Sequence, residues 1–159
     1  MFLVIPVLTI PKLLLILFQS EMATDPKRTF GGEVPEDPAE LLPEDSVLSL
    51  DEYLDMHAAV GNRTRYEILY RLVHGGEMSP KELEQAIDID DSTLHYHLNK
   101  LVETGLVEKR QRTDRGQDGL YTYYRATVFG TVTLTEGVDE LIRGEHAFEE
   151  MYDSSAGES

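Results

Sequence analysis

Two helix signals separated by only three residues constrain this chain more than any other feature. Residues 79–82 read Ser-Pro-Lys-Glu, in which a serine caps, a proline takes the first helical position and a glutamate follows three residues after the cap. After Asp88-Ile89-Asp90, a second helix is predicted from Asp91 to Thr104. The apolar residues of the two helices that should face inward are Leu83, Ala86 and Ile87, then Leu94, Leu98, Leu101 and Val102. Two short helices joined by a tight turn form a helix-turn-helix, whose second helix is the candidate recognition helix.

A β-hairpin is predicted directly after these helices. Gly105 ends the second helix and is followed by residues 106–112 (LVEKRQR), and residues 120–126 (LYTYYRA) are rich in β-forming side chains. A polar tip from Thr113 to Gly119 separates them. A hairpin in this position is a wing, so the predicted fold is mainly α with a small β-hairpin wing, a winged helix-turn-helix.

Three further helices complete the predicted domain. The first carries a stripe of Leu50, Leu54 and Ala58, with Val47 and Val60 near it, and ends at Gly61. The second has Asn62 as N-cap and ends at Gly75-Gly76, and its buried residues are Ile68, Leu69, Leu72 and Val73. The last is predicted to begin at Thr135, with Gly144 as its weak point, and its apolar residues are Val138, Leu141, Ile142, Phe148 and Met151.

The 159 residues suffice for about one domain. We divide them into an apolar N-terminal segment (1–21), an acidic, proline- and glycine-interrupted leader expected to be disordered (22–46), the folded domain (47–152) and a disordered tail (153–159).

The apolar N-terminal segment has three interpretations. A membrane span needs about 20 apolar residues, whereas the run from Phe2 to Phe18 is slightly short and contains Lys12. A signal peptide would carry its positive charge before the apolar run and a cleavage site after it, and neither is visible. We favour the third, in which Met22 is the native start and the protein is cytoplasmic. The membrane is a partner only if residues 1–21 are translated and retained.

The charge balance is acidic, with 30 Asp and Glu against 14 Lys and Arg and a net charge of −16. Nucleic-acid-binding proteins are usually basic, because phosphate contacts dominate their affinity. At molar ionic strength, however, the Debye length falls to about 3 Å, so distant carboxylates scarcely repel DNA. The composition therefore favours a salt-rich cytoplasm, and the alternative is an acidic protein that binds another protein.

Several chemistries are excluded by residue content. The chain has no cysteine, which removes disulfides, thiolate metal sites and a cysteine nucleophile. No Ser-His-Asp arrangement, P-loop or HExxH motif is present. The sequence therefore predicts a protein that is not an enzyme, with no catalytic residues and no cofactor.

Three segments resemble the ArsR-type winged-helix regulators: residues 62–69 (NRTRYEIL), 78–83 (MSPKEL) and 92–101 (STLHYHLNKL), the last followed by Gly105-Leu106-Val107. The resemblance covers about residues 50–126, and the acidic balance is similar to that of the forms found in extreme halophiles. It implies a homodimer built from the first and last helices, with two recognition helices in successive major grooves. The alternative is that both helices only cover the core of a monomer.

Metal sensors of that family often carry a cysteine-containing motif on the helix before the recognition helix, and this chain cannot form such a site. Other members use histidine and acidic residues of the last helix. The corresponding set here would be Asp139, His146, Glu149 and Glu150, but their spacing reproduces no clear motif. We interpret them as solvated surface charge, predict no metal and leave any effector unknown.

Candidate DNA-contact residues follow from the phase of the recognition helix. With its apolar stripe inward, Ser92, Tyr96, Asn99, Lys100 and Glu103 point outward, and Thr93 and His95 lie at the sides. Such side chains can bind base edges or phosphates. His97 is expected to pack on the buried side. The three aspartates at positions 88, 90 and 91 weaken the approach of phosphate to this helix at low salt.

The wing concentrates positive charge. Five of the 14 basic residues lie between positions 109 and 125, and arginine suits both phosphate and the minor groove. The alternative is a solvated, ion-paired hairpin. The predicted DNA-binding residues are Ser92, Thr93, His95, Tyr96, Asn99, Lys100, Lys109, Arg110, Arg112 and Arg115.

The sequence thus predicts a homodimeric, sequence-specific regulator of transcription that binds double-stranded DNA, with the recognition helix in the major groove and the basic wing on the backbone or in the minor groove. The alternative is a winged-helix protein-interaction module, membrane-tethered if residues 1–21 are retained, without specific DNA binding.

Overall fold

The computed structural model describes residues 34–113 and 119–156. The chain divides into two compact units, residues 42–138 and residues 1–41 with 139–159. The apolar N-terminal segment and the wing tip with Arg115 lie outside the described residues. Among the helices that are described, none is long and apolar enough to cross a membrane.

The unit of residues 42–138 contains the helix-turn-helix and the wing. In chain order its elements are α1 (Leu50–Val60), α2 (Arg63–Gly75), α3 (Pro80–Ile87), α4 (Asp91–Glu103), β1 (Val107–Thr113), β2 (Leu120–Ala126), α5 (Val128–Thr133) and a π-helical turn (Leu134–Val138). The described parts of the other unit are a 3-10 turn (Pro38–Leu41), in the segment expected to be disordered, and α6 (Asp139–Ala156). The elements of the larger unit confirm the predicted fold class, a winged helix-turn-helix.

The predicted helix starts are confirmed by their caps. Asn62 Oδ1 accepts a hydrogen bond from the amide of Arg65 at 3.1 Å. Ser79 and Glu82 form a reciprocal capping box, in which the Ser79 amide donates to the Glu82 carboxylate at 2.7 Å. α3 ends at Asp88, which takes the left-handed conformation at φ 59° and so allows α4 to begin after only two more residues.

The core of this unit is built from one face of each helix and the base of the wing. Its fully buried members include Ile68, Leu69 and Leu83, the α4 stripe of Leu94, Leu98 and Leu101, and Leu106, Tyr124 and Leu134. Burying each such side chain contributes about 1.5–3 kcal/mol relative to leaving it in water. The α4 stripe therefore fixes which face of the recognition helix points outward.

Several predicted core positions are wrong. Leu54 and Ala58 are exposed, because α1 turns Met56, Ala59 and Val60 toward the core, and of these only Val60 was placed near the predicted stripe. Val47, which precedes α1, is 92% exposed. Tyr53 of the same helix meets the ring of Phe129 edge-on, with centroids 6.2 Å apart, which fixes this rotation. Val102 is also exposed, because Leu101 and Leu106 on either side of it fill the core at the end of α4.

The last helical region begins earlier than predicted, at Val128 instead of Thr135. Thr127 is its N-cap, and its hydroxyl accepts from the amide of Gly130 at 3.1 Å. The β-branched and glycine residues of this stretch do not favour a helix, but tertiary packing overrides that local preference. In the other unit, α6 extends to Ala156, and the fraying of the chain from Ser154 onward stays a prediction.

An isolated β-bridge at Met78, which the sequence did not suggest, pairs with the wing. The Met78 amide donates to the Tyr124 carbonyl at 3.0 Å, and the Tyr124 amide donates to the Met78 carbonyl at 2.8 Å. This bridge joins the chain just before α3 to the middle of β2. It thereby attaches the hairpin to the helix-turn-helix.

Gly130 should tolerate no side chain, because a Cβ there would overlap the carbonyl oxygen of Leu106 and lie 3.0 Å from Leu69 Cδ1. We expect Gly130→Ala to lower the free energy of unfolding by about 1–3 kcal/mol or more, the usual cost of overpacking. Gly75→Ala is the matched control, since nothing lies within 4 Å of the Cβ it would add. Urea unfolding of both variants checks this, and equal midpoints would contradict the close approach.

Candidate DNA interface

The N-terminus of α4 is held by Asp90. Its carboxylate accepts hydrogen bonds from the Ser92 hydroxyl at 2.5 Å, from the Thr93 hydroxyl at 2.6 Å and from the Thr93 amide at 3.0 Å. These donors, first Ser92 and then Thr93, hold the pKa of Asp90 well below its usual range. Two predicted DNA-contact hydroxyls are therefore already occupied by a carboxylate in this structure.

The middle of α4 presents the predicted outward residues. Ser92, Tyr96, Asn99, Lys100 and Glu103 are exposed, as the helix phase predicted. Lys100 pairs with Glu103 at 3.6 Å, an exposed ion pair worth little energy.

Two other predicted contact residues of α4 differ in how far they are engaged. His95, at the side of the helix, lies 3.2 Å from the carboxylate of Asp91. Asn99 has no side-chain hydrogen bond within the described part of the chain, so its amide is available to a ligand.

His97 lies on the half-buried side of α4, as predicted, and contacts α2. A terminal nitrogen of Arg65 lies 3.4 Å from His97 Nδ1, while Arg65 Nε donates to the Ala59 carbonyl at 2.7 Å. Burial, and then the nearby guanidinium, lower the pKa of His97. Arg65 thus connects the end of α1 to the recognition helix, and this contact favours the neutral form of His97.

The wing has two different faces. Glu108 stands opposite Arg125, Arg110 opposite Tyr123 and Arg112 opposite Tyr121, and directly opposed residues lie on the same side of a hairpin. Lys109 stands opposite the buried Tyr124, on the other side. The described part of the predicted basic cluster is therefore divided, with Arg110, Arg112 and Arg125 on one face and Lys109 on the other.

Each arginine of the described wing residues is paired with a carboxylate. Arg112 Nη1 lies 2.7 Å from Glu77, Arg110 Nε lies 3.1 Å from Glu108, and Arg125 also bonds Glu108. The alternative to a DNA contact was a hairpin whose arginines form ion pairs. These three pairs are of that kind. Whether Arg110, Arg112 and Arg115 bind DNA stays a prediction.

Of the acidic and histidine residues of α6 that the sequence singled out, His146, Glu149 and Glu150 are exposed and Asp139 is half-buried. His146 Nδ1 is 4.0 Å from Glu149, one turn along the same helix. In the described parts of the chain, no three His, Asp or Glu side chains are grouped so that they could hold a metal ion.

Sequence reasoning missed Glu77 and Glu108, the two carboxylates that hold the wing arginines. Glu108 could have been found from the hairpin register, since residues opposite each other across a tip at 113–119 include Glu108 and Arg125. Glu77 lies 35 residues from Arg112, and no local pattern links them.

A polar helix face carried on a buried leucine stripe, with a basic hairpin attached beside it, defines a winged-helix protein. Residues 60–110 match a family model described as a helix-turn-helix domain. The fold also resembles that of a transcriptional regulator of the MarR family from Enterococcus faecalis, with a TM-score of 0.52 at 16% identity over 70% of this chain and 99% of that one.

Two relatives from Halobacterium salinarum are similar in sequence. The protein named arsenical resistance operon repressor ArsR2 is 33% identical over 94 residues, 58% of this chain and 72% of that protein. The one named arsenical resistance operon repressor ArsR is 32% identical over 88 residues, 54% of this chain, which spans 63% of that relative's length. The chain belongs to the ArsR family of winged helix-turn-helix transcriptional regulators.

We expect Asp90→Ala to lower the thermal unfolding midpoint, because α4 loses its cap, whereas Asp90→Asn should retain most of it since asparagine also caps. Because the pKa of Asp90 is lowered in the folded protein, its ionised carboxylate stabilises the fold at every pH above the ordinary value of 3.8. This stabilisation is lost as the pH falls through the pKa that Asp90 has in the folded protein. The deficit of Asp90→Ala should thus be constant from neutral pH to about pH 5 and shrink only below that ordinary value.

The control for the Asp90 variants is Asp91→Ala, which removes the neighbouring carboxylate and leaves the cap in place. Thermal melts followed by circular dichroism provide the measurement. An Asp91→Ala deficit as large as that of Asp90→Ala would show that charge, not capping, is responsible.

Proposed function

We propose that this protein is a sequence-specific DNA-binding regulator of transcription that acts as a homodimer. The recognition helix α4 enters the major groove, and the wing contacts the backbone or the minor groove. The observation that carries the proposal is the outer face of α4, where Tyr96 and Asn99 are exposed while the leucine stripe behind them is fully buried.

The chemistry of that face supports base readout. The amide of an asparagine can bind the edge of adenine in a bidentate way, and Asn99 is not engaged elsewhere in the described structure. Tyr96 is 57% exposed and contacts the ring of His97 edge-on, and a tyrosine hydroxyl on this face can donate to a phosphate. Asn99 therefore takes the role of base recognition, and Tyr96 fixes the register of α4 in the groove, on which that recognition depends.

The homodimer is supported by an apolar surface on α1 and α5. Leu54, Val128, Phe129 and Val132 are exposed, and a groove of about 320 Å³ runs beside them, lined by Tyr53, Met56, Phe129 and Val132. Monomeric proteins rarely expose contiguous apolar patches larger than a few hundred Å², and larger ones mark interaction sites. A second copy fits this role, because the family resemblance implies a dimer through the first and last helices. α6 also carries exposed Leu141, Ile142 and Met151.

An arsenic species is not expected to be the effector of this protein. Arsenic species bind soft thiolate ligands, and this chain contains no cysteine. Any effector of this protein must therefore be recognised by other chemistry.

The primary experiment is selection of genomic DNA fragments by the purified protein in molar KCl, followed by sequencing. Enrichment of a short motif with two-fold symmetry is the expected result. A correctly folded protein that enriches nothing would overturn the proposal in favour of a winged-helix module that binds another protein through its acidic surface.

Substitutions on the two elements should have different effects. Arg112→Ala and Arg115→Ala should weaken binding to all sequences, because they remove phosphate contacts. Asn99→Ala should cost about 1–3 kcal/mol on the preferred motif and relax specificity at one position, and changing Tyr96 should also alter sequence preference.

Arg71→Ala is the control, since it removes an arginine that pairs with Glu67 on α2. Titrations with the enriched motif and with scrambled DNA measure both the overall affinity and the sequence preference. Unchanged binding in all four variants, those at positions 96, 99, 112 and 115, would refute the assignment.

The dimer is tested by placing a charge in its proposed interface. We expect Val132→Lys to raise the dissociation constant of the dimer by about 100-fold, because an unpaired charge would be buried. Val47→Lys is the control, because Val47 is an equally apolar residue that is 92% exposed and lies outside the patch. Sedimentation equilibrium should give twice 18.0 kDa for the wild type and the control, and a wild-type mass of one chain would contradict the dimer.

A further inference from the structure

One face of the wing combines all of its described arginines with carboxylates and aromatic rings. We call it the arginine face, and its members are Glu108, Arg110, Arg112, Tyr121, Tyr123 and Arg125. The opposite face meets the core through Val107 and Tyr124, so the arginine face is the one that is free of the core. Whether these arginines are free or already paired with carboxylates determines how the wing binds an anion.

Glu108 binds two arginines at once. Its two carboxylate oxygens accept from Arg110 Nε at 3.1 Å and from Arg125 Nε across the hairpin. These bonds, the one from Arg125 first, lower the pKa of Glu108, so the carboxylate is charged at neutral pH. A charge-assisted pair of this kind resembles the bond that an arginine makes to phosphate.

Arg112 is held from two sides. Its guanidinium carbon lies 4.9 Å from the centroid of Tyr121 and 5.0 Å from that of Tyr123, which is cation–π distance. Glu77, just before α3, accepts from its Nη1 at 2.7 Å. The Tyr121 hydroxyl donates to Glu82 at 3.4 Å, which ties the aromatic pair to α3 as well. The side chain is therefore oriented before any DNA is present.

Salt dependence distinguishes a free arginine from a paired one. A free arginine that binds a phosphate releases a DNA counterion, and each such contact adds about 0.9 to the slope of log affinity against log salt. An arginine that must first leave a carboxylate frees a negative charge, which takes up a cation from the solvent. The cation taken up by the carboxylate then offsets the counterion released from DNA, and the slope of log affinity against log salt becomes shallower.

We propose that Glu77 and Glu108 are positioning residues that keep the arginines of this face bound to carboxylates in the DNA-free protein, so that the wing binds DNA by exchanging carboxylate for phosphate with a shallow dependence on salt. The inference rests on the proposed DNA-binding function. It assigns a role to acidic residues that would otherwise count only against DNA binding.

The test measures the affinity of the full chain for a mixed-sequence DNA duplex over a series of KCl concentrations. Circular dichroism first defines the range in which every variant is folded. Glu108→Gln and Glu77→Gln should each steepen the slope of log affinity against log salt by about one. The affinity of each variant relative to that of the wild type should therefore rise about ten-fold when the salt concentration falls about ten-fold. Glu77→Gln also serves as the second variant if Glu108→Gln folds poorly.

Two controls separate positioning from charge and from fold. Glu67→Gln removes the same charge from an exposed ion pair on α2 and should leave the slope unchanged. Glu108→Asp keeps the carboxylate and should retain the wild-type slope. Slopes in Glu108→Gln and Glu77→Gln equal to that of Glu67→Gln would overturn the exchange while DNA binding itself stands. A folded wild type that binds no DNA at any salt concentration would overturn both proposals.

Discussion

The placement of the wing depends on one close backbone contact, where the exit of α4 meets the start of α5. The amide of Thr127 donates to the Leu106 carbonyl at 3.0 Å, and its hydroxyl donates to the Gly105 carbonyl at 2.6 Å. Gly130 rests on the same Leu106 carbonyl, where only a residue without a Cβ fits. Because β1 begins at the next residue, this contact sets the wing relative to the recognition helix, and it also orients the proposed dimer surface of α5.

The parts of the fold that could be predicted are those whose signal is local. The caps at Asn62 and Ser79 and the buried stripe of α4 each lie within one or two helical turns, so short spacings reveal them. The errors arise where contacts between segments that are far apart in the sequence determine the local structure. The start of α5 depends on the fit of Gly130 against Leu106, and the rotation of α1 depends on a ring contact between Tyr53 and Phe129, neither of which leaves a periodic trace.

The candidate site shows the same division. The outward positions of α4 followed from its helical phase, because Leu94, Leu98 and Leu101 fix the opposite face. Counting charges along the wing did not reveal that its arginines are engaged. Pairing across the hairpin depends on register, and the Glu77–Arg112 pair depends on how α3 docks against β2. A sequence can thus indicate which residues are available for DNA, but the structure decides which of them already have partners.

The net charge of −16 and a DNA-binding role are reconciled by distance. At molar ionic strength the Debye length is about 3 Å, so the carboxylates scattered over the surface act on a phosphate only weakly. Pairs in direct contact, such as Arg112 with Glu77 at 2.7 Å, are hardly screened at that separation. What governs affinity is then not the sum of the charges but the partner of each arginine on the wing. An acidic protein can bind an acidic polymer under these conditions, provided that the few carboxylates touching its arginines can be exchanged for phosphates.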